Sequence, residues 1–273
     1  MKKVFYIVMA FALLAVSCGE QPTPDNGEIP AQSASSLVYS LESVADHDAV
    51  IVKPEDIASN APVVVVLTDD LTLRTRESEP VPSIPEVNFK AAEHSLIGRY
   101  ALCVVDTKGA KDVAYLSSVK ELFPDASKFY LLSYRNGLAY TAAMVMPDEF
   151  AAFGCVSGAI DVETYKKNSF VKPVSFVHVH ATKNPTCKWS GVVNKTVSVP
   201  LSVGAIVAID ESVTFKTTEL LPREGKGQVS CTQYTHALSG CDVKLYSVDS
   251  ANEGWCDEEF EVYNQVWNFF KIH

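Results

Sequence analysis

Few residues of this 273-residue chain stand at spacings that support chemistry. His178 and His180 alternate along an apolar run, so as strand residues they share one side. Two imidazoles so placed can bind a metal. No acidic ligand lies near them in sequence, so packing at a strand end is the expected role. His94, His236 and His273 sit in no motif and are expected at the surface. There is no CxxC, no close Cys/His set of the zinc kind and no glycine-rich phosphate loop, so neither metal nor cofactor is expected. Six cysteines follow Cys18. Cys103 and Cys155 fall in apolar runs and read as buried thiols. Cys187, Cys231, Cys241 and Cys256 fall in polar contexts and are the disulfide candidates, with their pairing open. Tyr134, Trp189, Tyr234 and Trp255 fall in expected loops, where aromatic faces can stack on sugars.

The elements that must position these groups alternate in type. Apolar, β-branched runs at 61–67 (APVVVVL), 100–106, 129–132, 153–156, 174–179 and 243–248 predict strands buried on both faces. Helical spacing appears at Val113, Leu116, Val119 and Leu122, and helices are also predicted over 137–146, 199–209 and 260–272. The last has an apolar face of Phe260, Tyr263, Val266, Trp267 and Phe270. Strands alternating with helices imply an α/β fold: a three-layer sandwich with a mostly parallel central sheet and helices on both faces. Functional loops of such sheets gather at the carboxyl ends of the strands.

The N-terminus reads as an export signal. Lys2 and Lys3 precede an uncharged apolar run, which ends in Ala15-Val16-Ser17-Cys18. This matches a lipobox, so residues 1–18 are expected to be a lipoprotein signal peptide and Cys18 the lipidated residue. Residues 19–36 (GEQPTPDNGEIPAQSASS) are too poor in apolar side chains to pack and read as a flexible tether. Residues 37–273 are expected to form a single domain. A net charge of −10 argues against nucleic acid or an anionic membrane surface as partner. The expected place is the bacterial cell envelope, at the outer membrane or cell surface, with the lipid as the only membrane contact.

Several segments, in order, resemble the secreted polyhydroxybutyrate-depolymerase and feruloyl-esterase group of α/β-hydrolases. The chain reads YLLSYRNGLAY at 130–140 and PDEFAAFGCVSG at 147–158. That group has Y-L-T-G-x-S-N-G-G-x-M-A-Y followed by P-D-x-F-A-A-x-A-x-V-S-G. The KDVAYL segment at 111–116 is similar to the group's D-D-V-x-F-L. PVSFVHVHATKNP at 173–185 is similar to P-V-L-x-I-H-G-T-A-D-P, and 245–248 and 266–271 are similar to its last strand and helix. The resemblance implies an α/β-hydrolase-like fold and a serine nucleophile, histidine base and carboxylate. Each of those positions has changed here. The serine position holds Arg135, the acid position Asn184, and the histidine of G-G-G-H-x-W falls on Glu253. The oxyanion-loop H-G is Thr68-Asp69, which puts a carboxylate where negative charge would develop. A guanidinium stays protonated and cannot attack a carbonyl.

The resemblance therefore implies an esterase-like protein without its catalytic triad, one that binds a carbohydrate or a protein partner. The alternatives are an active carboxylic ester hydrolase with a rearranged site and a structural scaffold of an envelope assembly. Arg135 and Glu253 are expected to meet in the old cleft as a salt bridge closing it; the alternative is that Arg135 offers its forked donors to an anionic ligand such as a uronate, with Glu253, Tyr134 and Trp255 as neighbouring candidate ligand contacts. Ser133 lies two residues before the nucleophile position and is expected as a small replacement for glycine.

Overall fold

Alternate side chains along the central strands enter two separate cores, and the layers follow from this. In a computed structural model, which describes residues 37–69, 71, 94, 95, 97–209, 213–236 and 238–273, these residues belong to one compact unit spanning Ser35–His273. Its ten-stranded sheet contains β1 (Leu37–Val44), β2 (His47–Pro54), β3 (Val63–Thr68), β4 (Ala101–Asp106), β5 (Phe129–Tyr134), β6 (Ala152–Val156), β7 (Phe176–Ala181), β8 (Val213–Leu220), β9 (Val229–His236) and β10 (Asp242–Val248). The strand order is β1-β2-β4-β3-β5-β6-β7-β10-β9-β8. The six strands from β4 to β10 run parallel, and the two strands at either edge pair antiparallel.

Val63, Val65 and Leu67 of β3 point into one core, and Val64 and Val66 into the other. Leu131 and Leu132 of β5 divide in the same way, as do Phe176 and Val177 of β7. Helices α1 (Leu116–Glu121), α2 (Leu138–Val145) and α4 (Val199–Val207) bury Leu116, Val119, Ala142, Val203 and Ile206 in the first core. The short α3 (Val162–Lys167) lies between β6 and β7, with Asp161 accepting from the Glu163 and Thr164 amides as its N-cap. On the opposite face α5 (Val262–Phe270) buries Val262, Val266, Phe269 and Phe270. A parallel sheet covered on both faces needs strands that are apolar throughout, and the sequence supplies them.

The six expected strands and four expected helices are all present, with ends moved by a few residues. β1, β2, β8, β9 and α3 were not legible. β8 (VTFKTTEL) is exposed along almost its whole length and β9 (VSCTQYTH) is half-buried, so neither shows an apolar run. Residues 1–36, with Cys18, the expected signal and the tether, lie outside the described residues. Among the described residues no helix is long and apolar enough to cross a membrane.

Phe176 is fully buried, whereas Phe215 of β8 is 73% exposed. Phe176→Ala should therefore cost about 3–5 kcal/mol in urea unfolding, and Phe215→Ala less than about 0.5 kcal/mol. Equal effects would contradict this division of the core.

Candidate functional site

The chain order reverses around β3, whose neighbours are β4 on one side and β5 on the other. A crevice forms at such a switch point, beyond the carboxyl ends of the strands. Here β5 ends and the chain turns at once into α2. Arg135 occupies that turn with φ +61°, in the left-handed region that a side chain other than glycine's seldom adopts. Its amide donates to the Val156 carbonyl at 2.9 Å, tying the turn to the end of β6. A Cβ on Gly137 would lie 2.1 Å from the Ala159 carbonyl oxygen, and one on Gly158 2.0 Å from that of Asn136. Glycines at both points let the two strand-end loops touch backbone to backbone. Beneath the turn, the buried Ser133 hydroxyl and the Cys155 thiol both donate to the Asn136 carbonyl, at 3.1 and 3.4 Å. Ser133 thus braces the turn from below.

Arg135 projects outward and meets Glu253: Nη2 lies 3.6 Å from Oε2, and the two side chains are 42% and 43% exposed. The loop carrying Glu253 is held by Ser157, itself at φ +54°, whose hydroxyl donates to the Gly254 carbonyl at 2.6 Å. The Gly254 amide donates to Asn252 Oδ1 at 2.6 Å. An ion pair this exposed and this long contributes about 0–1 kcal/mol. It leaves an open cleft of about 380 Å³ beside it, whose walls include Lys111, Arg135, Thr141, Ser157, Thr186 and Lys195.

Asn184 is buried in the loop after β7. Its Oδ1 accepts from the Thr186 amide (3.0 Å) and hydroxyl (3.0 Å) and from the Cys187 amide (2.9 Å). Those bonds shape the loop, while Nδ2 is buried without a partner. Thr68 is buried at the end of β3. Asp69 accepts from the Thr107 hydroxyl and from the Gly109 amide at 3.3 Å, which directs its carboxylate to the loop after β4. Desolvation raises the Asp69 pKa, the Gly109 amide opposes this, and Asp106 adds to the rise.

Tyr134 and Trp255, expected as ligand contacts in loops, are buried instead. Each is only 3% exposed, and their rings stack at 5.1 Å in the core under α5, because Tyr134 is the last residue of β5 and points away from the cleft. His94 and His236 are buried rather than at the surface. His94 is held there by Tyr100 (3.3 Å) and Asn264 (2.6 Å). The expected disulfides are absent too, since Cys103, Cys155, Cys187, Cys231, Cys241 and Cys256 are all free thiols. Four had been expected to pair, and those lie on separate elements: Cys187 after β7, Cys231 within β9, Cys241 in the β9–β10 turn and Cys256 before α5.

His178 and His180 lie inside the first-core face of β7, in a directed chain. The Cys187 carbonyl can only accept, so His180 Nε2 donates to it at 2.7 Å. A neutral His180 then accepts at Nδ1 from His178 Nε2 at 3.3 Å, and His178 Nδ1 accepts from the Tyr140 hydroxyl at 2.7 Å. Burial, and for His178 the neighbouring His180, lowers both imidazole pKa values below 6.5, in agreement with two neutral rings. Among the described residues no group of three or more His, Cys, Asp or Glu could hold a metal ion. Lys111 and Lys195 were missed as cleft residues. The available signal was their place in loops after the carboxyl ends of β4 and β7.

No protein-family model matches the chain, and no curated protein matches it. Among solved structures it is similar to a dipeptidyl aminopeptidase IV-type protein from Bacteroides ovatus, with a TM-score of 0.50 and 10% identity over 88% of this chain. The chain spans only 36% of that protein's length. A glucuronoyl esterase from Solibacter usitatus aligns with a TM-score of 0.47 and 12% identity, covering 93% of this chain and 88% of the esterase. A CIB-like hydrolase from Thermoplasma acidophilum aligns at 0.46 and 10% identity, covering 88% of this chain and all of the other. The sheet order and the first of these likenesses define the class: an α/β-hydrolase-like fold with a mostly parallel central sheet.

Two outcomes test the site's construction. Arg135→Gly should leave unfolding stability within about 1 kcal/mol of the parent, while Arg135→Val, β-branched at a left-handed position, should lower it by about 1–2 kcal/mol. Stability should also fall with acid. His178 and His180 stay neutral when folded and bind protons when unfolded, so their contribution is complete above about pH 6.5. It is lost as pH drops below that, at about 1.4 kcal/mol per unit for each. Urea titrations at pH 7.5 and 5.0 check this, and His178→Gln should flatten the dependence.

Proposed function

We propose that this protein is a non-catalytic, esterase-like lipoprotein of the cell envelope that uses the former active-site cleft to bind a ligand. The observation that carries the reading is Arg135 itself. The strand–turn–helix keeps its strained backbone and both close-approach glycines, yet its apex presents a group that cannot attack a carbonyl. The hydroxyls nearest the turn, Ser133 and Ser157, donate to backbone carbonyls rather than to a base. Nucleophilic catalysis needs a base within about 2.6–3.2 Å of the nucleophile. Ser175 does have a histidine, His273 Nδ1, at 3.1 Å, but it lies just before the start of β7, at the opposite end of the sheet from the cleft.

Descent from secreted polyester or feruloyl esterases accounts for the ordered segments around the cleft. The basic N-terminus, the apolar run and Cys18 support anchoring by lipid. The ligand is a carbohydrate or a partner presented at the envelope.

The full-length protein should not hydrolyse short-chain aryl esters or feruloylated sugars above the buffer rate. Replacing the three positions together (Arg135→Ser, Asn184→Asp, Glu253→His) should create measurable turnover on the existing turn. Hydrolysis by the parent that survives Ser133→Ala, but is lost on changing another cleft residue, would sink the non-catalytic reading in favour of an active hydrolase with a rearranged site.

A further inference from the structure

The cleft has a charge opposite to that of the molecule. The chain carries a net charge of −10, yet among the described residues three cations, Lys111, Arg135 and Lys195, line this cavity against one acid, Asp161. Asp161 is already engaged, because its Oδ1 accepts from the Glu163 (3.0 Å) and Thr164 (2.9 Å) amides at the start of α3. The ammonium groups of Lys111 and Lys195 make no ion pair among the described residues, and both side chains are exposed. Glu253 is one partner of Arg135, at 3.6 Å and half-exposed, a weak contact that a better-placed carboxylate can replace.

The strained turn explains why the arginine is useful here. Its left-handed backbone sets the side chain at the apex between the β5 and β6 loops, so the guanidinium fork stands at the cleft rim. A planar fork matches a carboxylate through two parallel hydrogen bonds. Thr141, Ser157, Thr186 and Thr196 are among the lining residues, with the Ser157 and Thr186 hydroxyls already donating to the Gly254 carbonyl and to Asn184 Oδ1. A volume of about 380 Å³ is at the lower end for small-ligand pockets, sized for a sugar unit rather than for a folded partner.

We infer that the cleft recognises a sugar acid, with Arg135 receiving the carboxylate in place of Glu253 and Lys111 and Lys195 supplying the surrounding positive field. This rests on the reading of the cleft as a binding site and names the ligand class for it.

The test is equilibrium binding to the full-length protein by calorimetry at low ionic strength. The probes are glucuronate and galacturonate disaccharides, their neutral methyl esters, inorganic phosphate and an acidic hexapeptide. The acid sugars should bind at least about tenfold more tightly than their methyl esters, and 0.5 M salt should weaken them. Arg135→Ala should cost about tenfold or more, and Arg135→Lys less than that, because the charge remains while the fork is lost. Removing both lysines (Lys111→Ala with Lys195→Ala) should weaken binding several-fold, and Glu253→Gln should tighten it by removing the competing carboxylate. Equal binding of acid and ester would overturn the inference while leaving a carbohydrate-binding cleft standing. Phosphate or the peptide binding as tightly as the acid sugar would overturn it, as would no binding of the acid at all. Hydrolysis of the methyl esters would instead overturn the non-catalytic reading on which it rests.

Discussion

The close backbone approach of two strand-end loops, made possible by Gly137 and Gly158, is the constraint on which the cleft depends. Carbonyl oxygens of residues 159 and 136 lie about 2 Å from where those glycines would carry a Cβ. The approach locks the turn after β5 against the end of β6 and holds Arg135 left-handed. Ser157, left-handed on the neighbouring strand end, then anchors the Gly254 loop and brings Glu253 to Arg135. Backbone strain of this kind persists where the surroundings over-determine it, and such places are commonly functional. Here the residue at the apex of the strained turn is a cation, Arg135.

Beneath that surface the site is stiff and apolar. The Tyr140–His178–His180–Cys187 chain fixes α2, β7 and the loop after β7 to one another, with every donor along it matched to an acceptor. On the other face Tyr134, Trp255 and Tyr263 stack beneath the Glu253 loop. The cleft is therefore flanked by two packed supports, while Lys111 and Lys195 in its wall are exposed.

The central sheet and its main helices were legible because buried parallel strands must be apolar on both faces, as in VVVV at 63–66. The edge strands were not. β8 packs against a partner on one side only and exposes both faces, so its sequence obeys solvent rather than a core. Cys103 and Cys155 are the buried thiols their apolar runs implied, but the other four cysteines misled, because a polar neighbourhood in sequence does not bring two thiols together in space.

By itself the sequence determined the fold class, since that depends on residue type at local spacing, and it singled out Arg135, Asn184 and Glu253 by the motifs around them. Only the tertiary structure decided what those groups do. Arg135 and Glu253 are 118 positions apart in the chain, and only the packing of the β6 end against the residue 250–256 loop makes them neighbours. The same packing buried Tyr134 and Trp255, which sequence placed at the surface, and left Lys111 and Lys195 in the cleft wall. Whether a side chain faces core, cleft or solvent is fixed by the elements laid against it, and those come from distant parts of the chain.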